Sequence, residues 1–152
     1  MARPTFPAML TAHATCIAID GHGILLRGPS GSGKSDLALR AIADGAHLVA
    51  DDQVLLALEG DAVIGSAPPA LHGLIEIRGL GLMRLNADAH TRIALVADMT
   101  AAAAIDRMPE PRQCQLAGAN LPFFALDPFQ ASAPAKLRFA LAAALNPGLL
   151  QR

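Results

Sequence analysis

The chain has 152 residues, a formal net charge of -1 at pH 7, and 53% hydrophobic residues, many of them alanine. That length suits one domain with a real core, and the near-neutral charge argues against nucleic-acid binding, which needs a basic face. No apolar run approaches the roughly 20 residues that cross a bilayer, and Met1 to Thr11 makes a poor signal peptide, so the expectation is a cytoplasmic protein off the membrane.

Residues 1 to 10 carry two prolines and read as a loose lead-in. Thr11 to Asp20 reads as a strand, Gly21-His22-Gly23 as a tight turn, and Ile24 to Arg27 as the second arm of a hairpin. Gly28-Pro29-Ser30-Gly31-Ser32-Gly33-Lys34-Ser35 follows and fits the phosphate-loop pattern G-x-x-x-x-G-K-[ST]. Asp36 to Ala43 reads as a helix, with Gly45 as the glycine beyond its end. His47 to Ala50 is a short buried strand that ends in Asp51-Asp52. Val54 to Leu58 and Ala62 to Ile64 flank Glu59-Gly60-Asp61 as a second hairpin. Pro68-Pro69 confine Ser66 to Leu71 to a loop or a sheet edge. The apolar stretch Gly73 to Leu85 has Glu76, Arg78, Gly79 and Gly81 set inside it. Ile93 to Ala97 is a further strand, and Ala101 to Arg107 a short helix. Pro109, Pro111, Pro122, Pro128 and Pro134 break the next stretch into loops and short strands. Ala135 to Leu145 is helical and stops at Asn146-Pro147-Gly148.

The chemistry starts at residues 28–35. Glycines there let backbone N–H groups turn inward around a polyphosphate, where side chains would collide. Lys34 can reach the β- and γ-phosphates of ATP or GTP, and the Ser35 hydroxyl can ligate Mg²⁺. The strand before the loop and the helix after it supply the context the motif requires, with a partial positive charge at the helix N-terminus. Asp51-Asp52 is either a carboxylate pair near the metal shell or an acidic turn capping its strand. Glu76 and Arg78 sit two apart, so on a strand they would share a face. They read either as a metal ligand beside a phosphate-binding guanidinium or as a plain surface ion pair. His13 lies on the strand that pairs near the phosphate loop, a place where a lone histidine is by default structural. His22, His47, His72 and His90 fall at turns or element ends. Cys16 reads as a core residue, and neither it nor Cys114 has metal-ligand spacing, as in a reduced compartment. With five phenylalanines and no tryptophan or tyrosine, the composition offers little for stacking on bases.

Three of these segments together resemble the HPr kinase/phosphorylase family, bacterial enzymes that phosphorylate a serine of the phosphocarrier HPr. They are AHATCIAIDGHGILLRGPSGSGKS (Ala12 to Ser35), HLVADD (His47 to Asp52) and IGSAPPALHGLIEIRGLGLMRL (Ile64 to Leu85), of which EIRGLG is the most characteristic. The resemblance implies an α/β phosphate-loop catalytic domain, like the C-terminal domain of that family and the nucleotide domain of phosphoenolpyruvate carboxykinase. It implies ATP and Mg²⁺, with Lys34 on phosphate and Ser35 and Glu76 on the metal. Asp52 would be the general base toward the acceptor serine, and His13 an active-site histidine. The partner would be an HPr-like phosphocarrier protein, and the family is often hexameric, so a homo-oligomer is implied.

The family's N-terminal domain has no counterpart ahead of Ala12. Residues 1–152 therefore read as the shortened, catalytic-domain-only form of α-proteobacteria. The family's Pro-Gly-Arg segment, tied to phosphorolysis, does not align, and Leu121 to Arg138 stands roughly where it belongs. Its catalytic arginine could correspond to Arg107 or Arg112. The kinase direction is thus better supported than the reverse. A small-molecule phosphate-loop kinase and a non-catalytic nucleotide sensor remain the competing classes.

Overall fold

The computed structural model describes residues 9–151, so Met1 to Ala8 of the expected lead-in lie outside the described residues. Strand β1 (Met9–Ala12) and strand β2 (Ala14–Ile19) replace the single strand expected over Thr11 to Asp20. The chain bends at His13, and the two pieces take different partners. The next turn also falls one residue earlier than expected. Asp20 and Gly21 adopt left-handed backbone (φ 51° and 80°), and His22 is already paired with Ile19 in strand β3 (His22–Arg27). An Asp-Gly pair is the natural choice for such a two-residue hairpin turn.

Helix α1 (Lys34–Ala43) starts two residues before the expected Asp36, directly at the lysine of the loop. It ends as expected, with Gly45 left-handed (φ 104°). Gly45 N donates to Ile42 O and Ala46 N to Ala41 O, which together satisfy two terminal carbonyls. Strands β4 (His47–Ala50), β5 (Val54–Glu59) and β6 (Ala62–Ser66) follow, then a 3₁₀ turn at Pro69–Leu71. Strands β7 (Leu74–Ile77) and β8 (Gly81–Arg84) form a separate two-stranded hairpin. Arg78 lies in its turn, so the expectation that Glu76 and Arg78 share one strand face does not hold.

The chain returns to the sheet through β9 (Thr91–Met99), and β10 (Arg112–Leu116) and β11 (Ala119–Leu126) make a hairpin around Ala117-Gly118. Between β9 and β10 the expected helix Ala101 to Arg107 shrinks to a single 3₁₀ turn, Ala102–Ala104. Its residues are exposed, and alanine propensity cannot hold so short a helix that buries no face. Pro122 does not break its strand. At that position β11 is paired with β10 only, and β9 joins from Phe123, so fewer ladder bonds are asked of the chain there. Helix α2 (Ala133–Leu145) closes the fold, with Pro134 in its first turn.

Nine strands form one mixed sheet, ordered β1-β5-β6-β9-β3-β2-β4, with β11 also on β9 and β10 outside it. One edge of β9 serves two partners, β6 at Thr91-Arg92 and β11 at Val96 to Met99. Strands β9 and β11 run parallel to β3, and β4 does too because β2 is antiparallel to both. Four parallel strands therefore end at one edge of the sheet, the usual place for a ligand site in open α/β sheets.

Period-two alternation sorts the side chains into two cores. Ile17, Ile19, Ile24 and Leu26 pack under the helices with Leu37, Ala41, Leu137 and Leu141. Cys16, Ala18 and Leu25 pack on the opposite face with Val54, Leu56, Val63 and Leu116, so the curved sheet covers itself there. In β9 an extra residue, Ala94, interrupts the register with β3, which lets Ile93 face one core and Leu95 the other. Among the described residues, no helix is long and apolar enough to cross a membrane.

Candidate active site

The phosphate loop leaves the end of β3 and runs straight into α1. Its backbone conformation needs glycine at Gly33, where φ is 101° and an added Cβ would lie 2.8 Å from Pro128 Cγ. A Cβ at Gly31 would point into open space. Lys34 Nζ donates to the carbonyls of Gly28 (2.5 Å) and Pro29 (2.9 Å), folded back along its own loop. Ser32 Oγ is buried without a hydrogen-bond partner, an unmet demand that a phosphate oxygen would fill.

Asp51 is a buried, doubly bonded carboxylate of the edge. Leu48-Val49-Ala50 are buried at the end of β4, so the next side chain is still inside, at 9% exposure. Its Oδ1 accepts from Ser35 Oγ (2.7 Å) and from the buried Thr15 Oγ1 (3.0 Å). Asp52 follows with left-handed backbone (φ 68°) and an exposed side chain. The adjacent carboxylates are thus split, one holding the loop and one turned to solvent.

His13 is not on a strand but at the bend before β2, and it is exposed. Because Ala14 pairs with Arg27, the bend sits beside the start of the phosphate loop. Glu76 is exposed on β7, which packs against α1. The segment after β8 pairs with the outer edge of β4 through a Leu48–Ala87 bridge and through Asp88 N donating to Leu48 O (2.9 Å). The hairpin that carries Glu76 thus lies between α1 and the β4 edge of the sheet. The ion pairs among the described residues are Arg27–Asp98, Arg40–Asp36 and His47–Asp88, so Glu76 and Arg78 are not paired with each other. Of the two candidate arginines, Arg112 lies over the Phe123 ring, 4.6 Å from its centroid. Arg107 lines a groove at the end of β11 together with Asp127 and Lys136.

Two features of the site escape a reading of the sequence. Thr15 is one. The other is the fork of Arg27 on Asp98, with Nε to Oδ1 at 2.8 Å and Nη2 to Oδ2 at 3.0 Å. It clamps the ends of β3 and β9 under the loop, and the hydrogen bond to Asp98 raises the guanidinium pKa further. The only signal for it in the sequence is a charge at the end of each of two apolar runs.

The structure brings Ser35 and Asp51 together, and their oxygens suit a hard divalent cation; Asp52 and Glu76 are exposed and do not join them in one cluster. Among the described residues no three His, Cys, Asp or Glu side chains converge as a closed metal cage. Mg²⁺ beside a nucleotide is held by one or two carboxylates together with phosphate oxygens, a requirement the Ser35–Asp51 pair fits.

Comparison with known proteins places this geometry. The chain is 43% identical over 81 residues to HPr kinase/phosphorylase 1 of Oceanobacillus iheyensis, covering 53% of this chain and 26% of that protein. It is 51% identical over 74 residues to HPr kinase/phosphorylase of Burkholderia lata, covering 48% and 23%. The chain thus spans about a quarter of the length of these relatives. The solved structure of the HPr(Ser) kinase/phosphatase from Coxiella burnetii matches with a TM-score of 0.78 at 26% identity, covering 92% of this chain and 98% of that one. The expected α/β kinase-domain fold is therefore the one observed. Residues 5–113 match the model of the HPr serine kinase C-terminal domain, and the chain belongs to that family.

Proposed function

We propose that this protein is a kinase that transfers the γ-phosphoryl group of ATP to a serine hydroxyl of an HPr-like phosphocarrier protein. One observation carries the reading. The last residue of the phosphate loop is hydrogen-bonded to Asp51, while the adjacent Asp52 faces solvent where an acceptor protein can approach. In this reading the loop N–H groups and Lys34 hold the phosphates, with Lys34 exchanging its carbonyl partners for phosphate oxygens. Ser35 and Glu76 would hold Mg²⁺, which when bound neutralises charge on the phosphates. Asp52 takes the proton of the acceptor serine as its Oγ bonds to the γ-phosphorus. The bond from that phosphorus to the β,γ-bridging oxygen breaks, and ADP leaves. His13, beside the loop entrance, would assist at the acceptor side, and Arg78 would meet phosphate. Reverse phosphorolysis would be weak, and the protein a cytoplasmic homo-oligomer.

The test is incubation with γ-labelled ATP, Mg²⁺ and the HPr-like protein of the same organism, beside the Lys34→Ala variant and an acceptor whose serine is replaced by alanine. Label on the carrier that disappears with either substitution is the expected result. Label on a small molecule instead, or none at all despite ATP binding, would overturn the assignment.

A further inference from the structure

Beside the phosphate loop lies a cavity of about 350 Å³, lined by Ser32, Met99, Thr100, Asp127, Pro128 and Phe129. It sits where β9 and β11 end, so its walls are the two segments that follow those strands. Strand β3 separates it from the ends of β2 and β4, which bring His13, Asp51 and Asp52. A nucleotide whose terminal phosphate faces Asp52 must extend its nucleoside end away from that side.

Phe129 is 69% exposed, yet its backbone is held on both sides. Arg40 of α1 donates to the carbonyl oxygens of Pro128 and Gln130, and Phe129 N donates to Asp127 Oδ1 (3.0 Å). An aromatic ring kept in water on a fixed backbone is a ready stacking surface that costs little ordering entropy when a ligand arrives. The ring also abuts the loop, because a Cβ on Gly33 would stand 3.1 Å from Phe129 Cζ. Of the polar side chains of the wall, Thr100 and Asp127 are engaged within the protein, and Ser32 belongs to the phosphate loop, where its unpartnered Oγ suits a phosphate oxygen. Thr100 Oγ1 donates to Asp98 O (2.8 Å), and Asp127 Oδ1 is taken by Phe129.

We infer that this cavity is the nucleobase site and that Phe129 is the platform on which the purine stacks, with no base-edge hydrogen bond selecting adenine over guanine. The inference rests on the kinase reading above and deepens it. Composition offered little for stacking, but the one ring that matters is delivered by the fold.

The experiment measures binding by calorimetry in Mg²⁺ buffer, with ATP, GTP and inorganic tripolyphosphate as ligands. For the unaltered chain, ATP is expected to bind roughly 5- to 150-fold more tightly than tripolyphosphate, the range of one base–aromatic stack. Phe129→Ala should erase that advantage and leave tripolyphosphate binding within about twofold, while Phe129→Tyr should keep it. GTP should match ATP within about threefold, since stacking tolerates either purine. An ATP advantage that survives Phe129→Ala, or ATP and tripolyphosphate binding equally to the unaltered chain, overturns the base site alone. A preference of tenfold or more between ATP and GTP, on the order of one discriminating hydrogen bond, overturns recognition by stacking. Failure of both ATP and tripolyphosphate to bind overturns the phosphate-loop reading and this inference with it.

Discussion

Ser35 Oγ and Thr15 Oγ1 converge on a single oxygen, Asp51 Oδ1, at 2.7 Å and 3.0 Å. The carboxylate ties the start of α1 to β2 and β4, so the loop that would bind phosphate is braced by the sheet. Asp51→Ala should leave the fully buried Thr15 hydroxyl without an acceptor, at a cost of roughly 1–3 kcal/mol. Adding Thr15→Val to Asp51→Ala should recover part of that loss, because it removes the orphaned donor while keeping its shape. Urea unfolding of the two singles and the double measures it. A stability unchanged by Asp51→Ala would mean that water satisfies Thr15 as well as the carboxylate does.

Gly33→Ala should weaken both stability and ATP binding. At φ 101° an L side chain is strained by roughly 1–2 kcal/mol, and its Cβ would meet Pro128 Cγ at 2.8 Å. Relief requires the loop or the Pro128-Phe129 segment to move, and either movement disturbs the surface on which a nucleotide would lie. A melting temperature and an ATP affinity both equal to the unaltered chain's would show that the loop tolerates a left-handed alanine.

The phosphate loop was legible because its chemistry is written in consecutive residues, and Asp51-Asp52 because two carboxylates end an apolar run. The hairpin through Asp20-Gly21 was legible to within a residue for the same local reason. Contacts between distant segments were not. Nothing near Arg27 announces Asp98, 71 positions away, or that β9 lies beside β3. The bend at His13 comes from two strands seeking different neighbours, which no local propensity encodes. Ala101 to Arg107 went wrong in the opposite direction. Alanine favours helix locally, but a helix that buries nothing has no tertiary support.

Alkaline pH should destabilise the protein through Cys16. Burial in the core pushes its thiol from 9.0 up to about 12. The folded state then keeps a proton that the unfolded chain releases, so the stabilising contribution is complete below pH 9.0 and declines toward about 12. The decline is on the order of 1 kcal/mol per pH unit. Cys16→Ala removes this titration, although it also leaves a small cavity at every pH. Urea midpoints at pH 8 and pH 10.5 should therefore fall less in the variant than in the unaltered chain. An equal fall in both would mean that the thiol does not titrate differently on unfolding.

Asp52, the exposed member of the pair, should carry the chemical step, and Asp51 the architecture. Asp52 has left-handed backbone at the strand end, where a protein acceptor can reach its carboxylate. A positioned base contributes about 10²- to 10⁴-fold to rate, so Asp52→Asn should slow phosphoryl transfer by that factor with stability and ATP affinity little changed. Asp51→Asn keeps an oxygen able to accept from Thr15 and Ser35 but loses the charge that suits a divalent cation. Its expected signature is a higher Mg²⁺ requirement, with transfer largely restored at saturating metal. Single-turnover phosphorylation of the carrier across a Mg²⁺ titration, with ATP affinity measured separately, distinguishes the two. If Asp51→Asn is inactive at every Mg²⁺ concentration and Asp52→Asn transfers at nearly the normal rate, the base is Asp51. The acceptor hydroxyl would then have to enter beneath the loop, displacing Ser35 from the carboxylate it now holds.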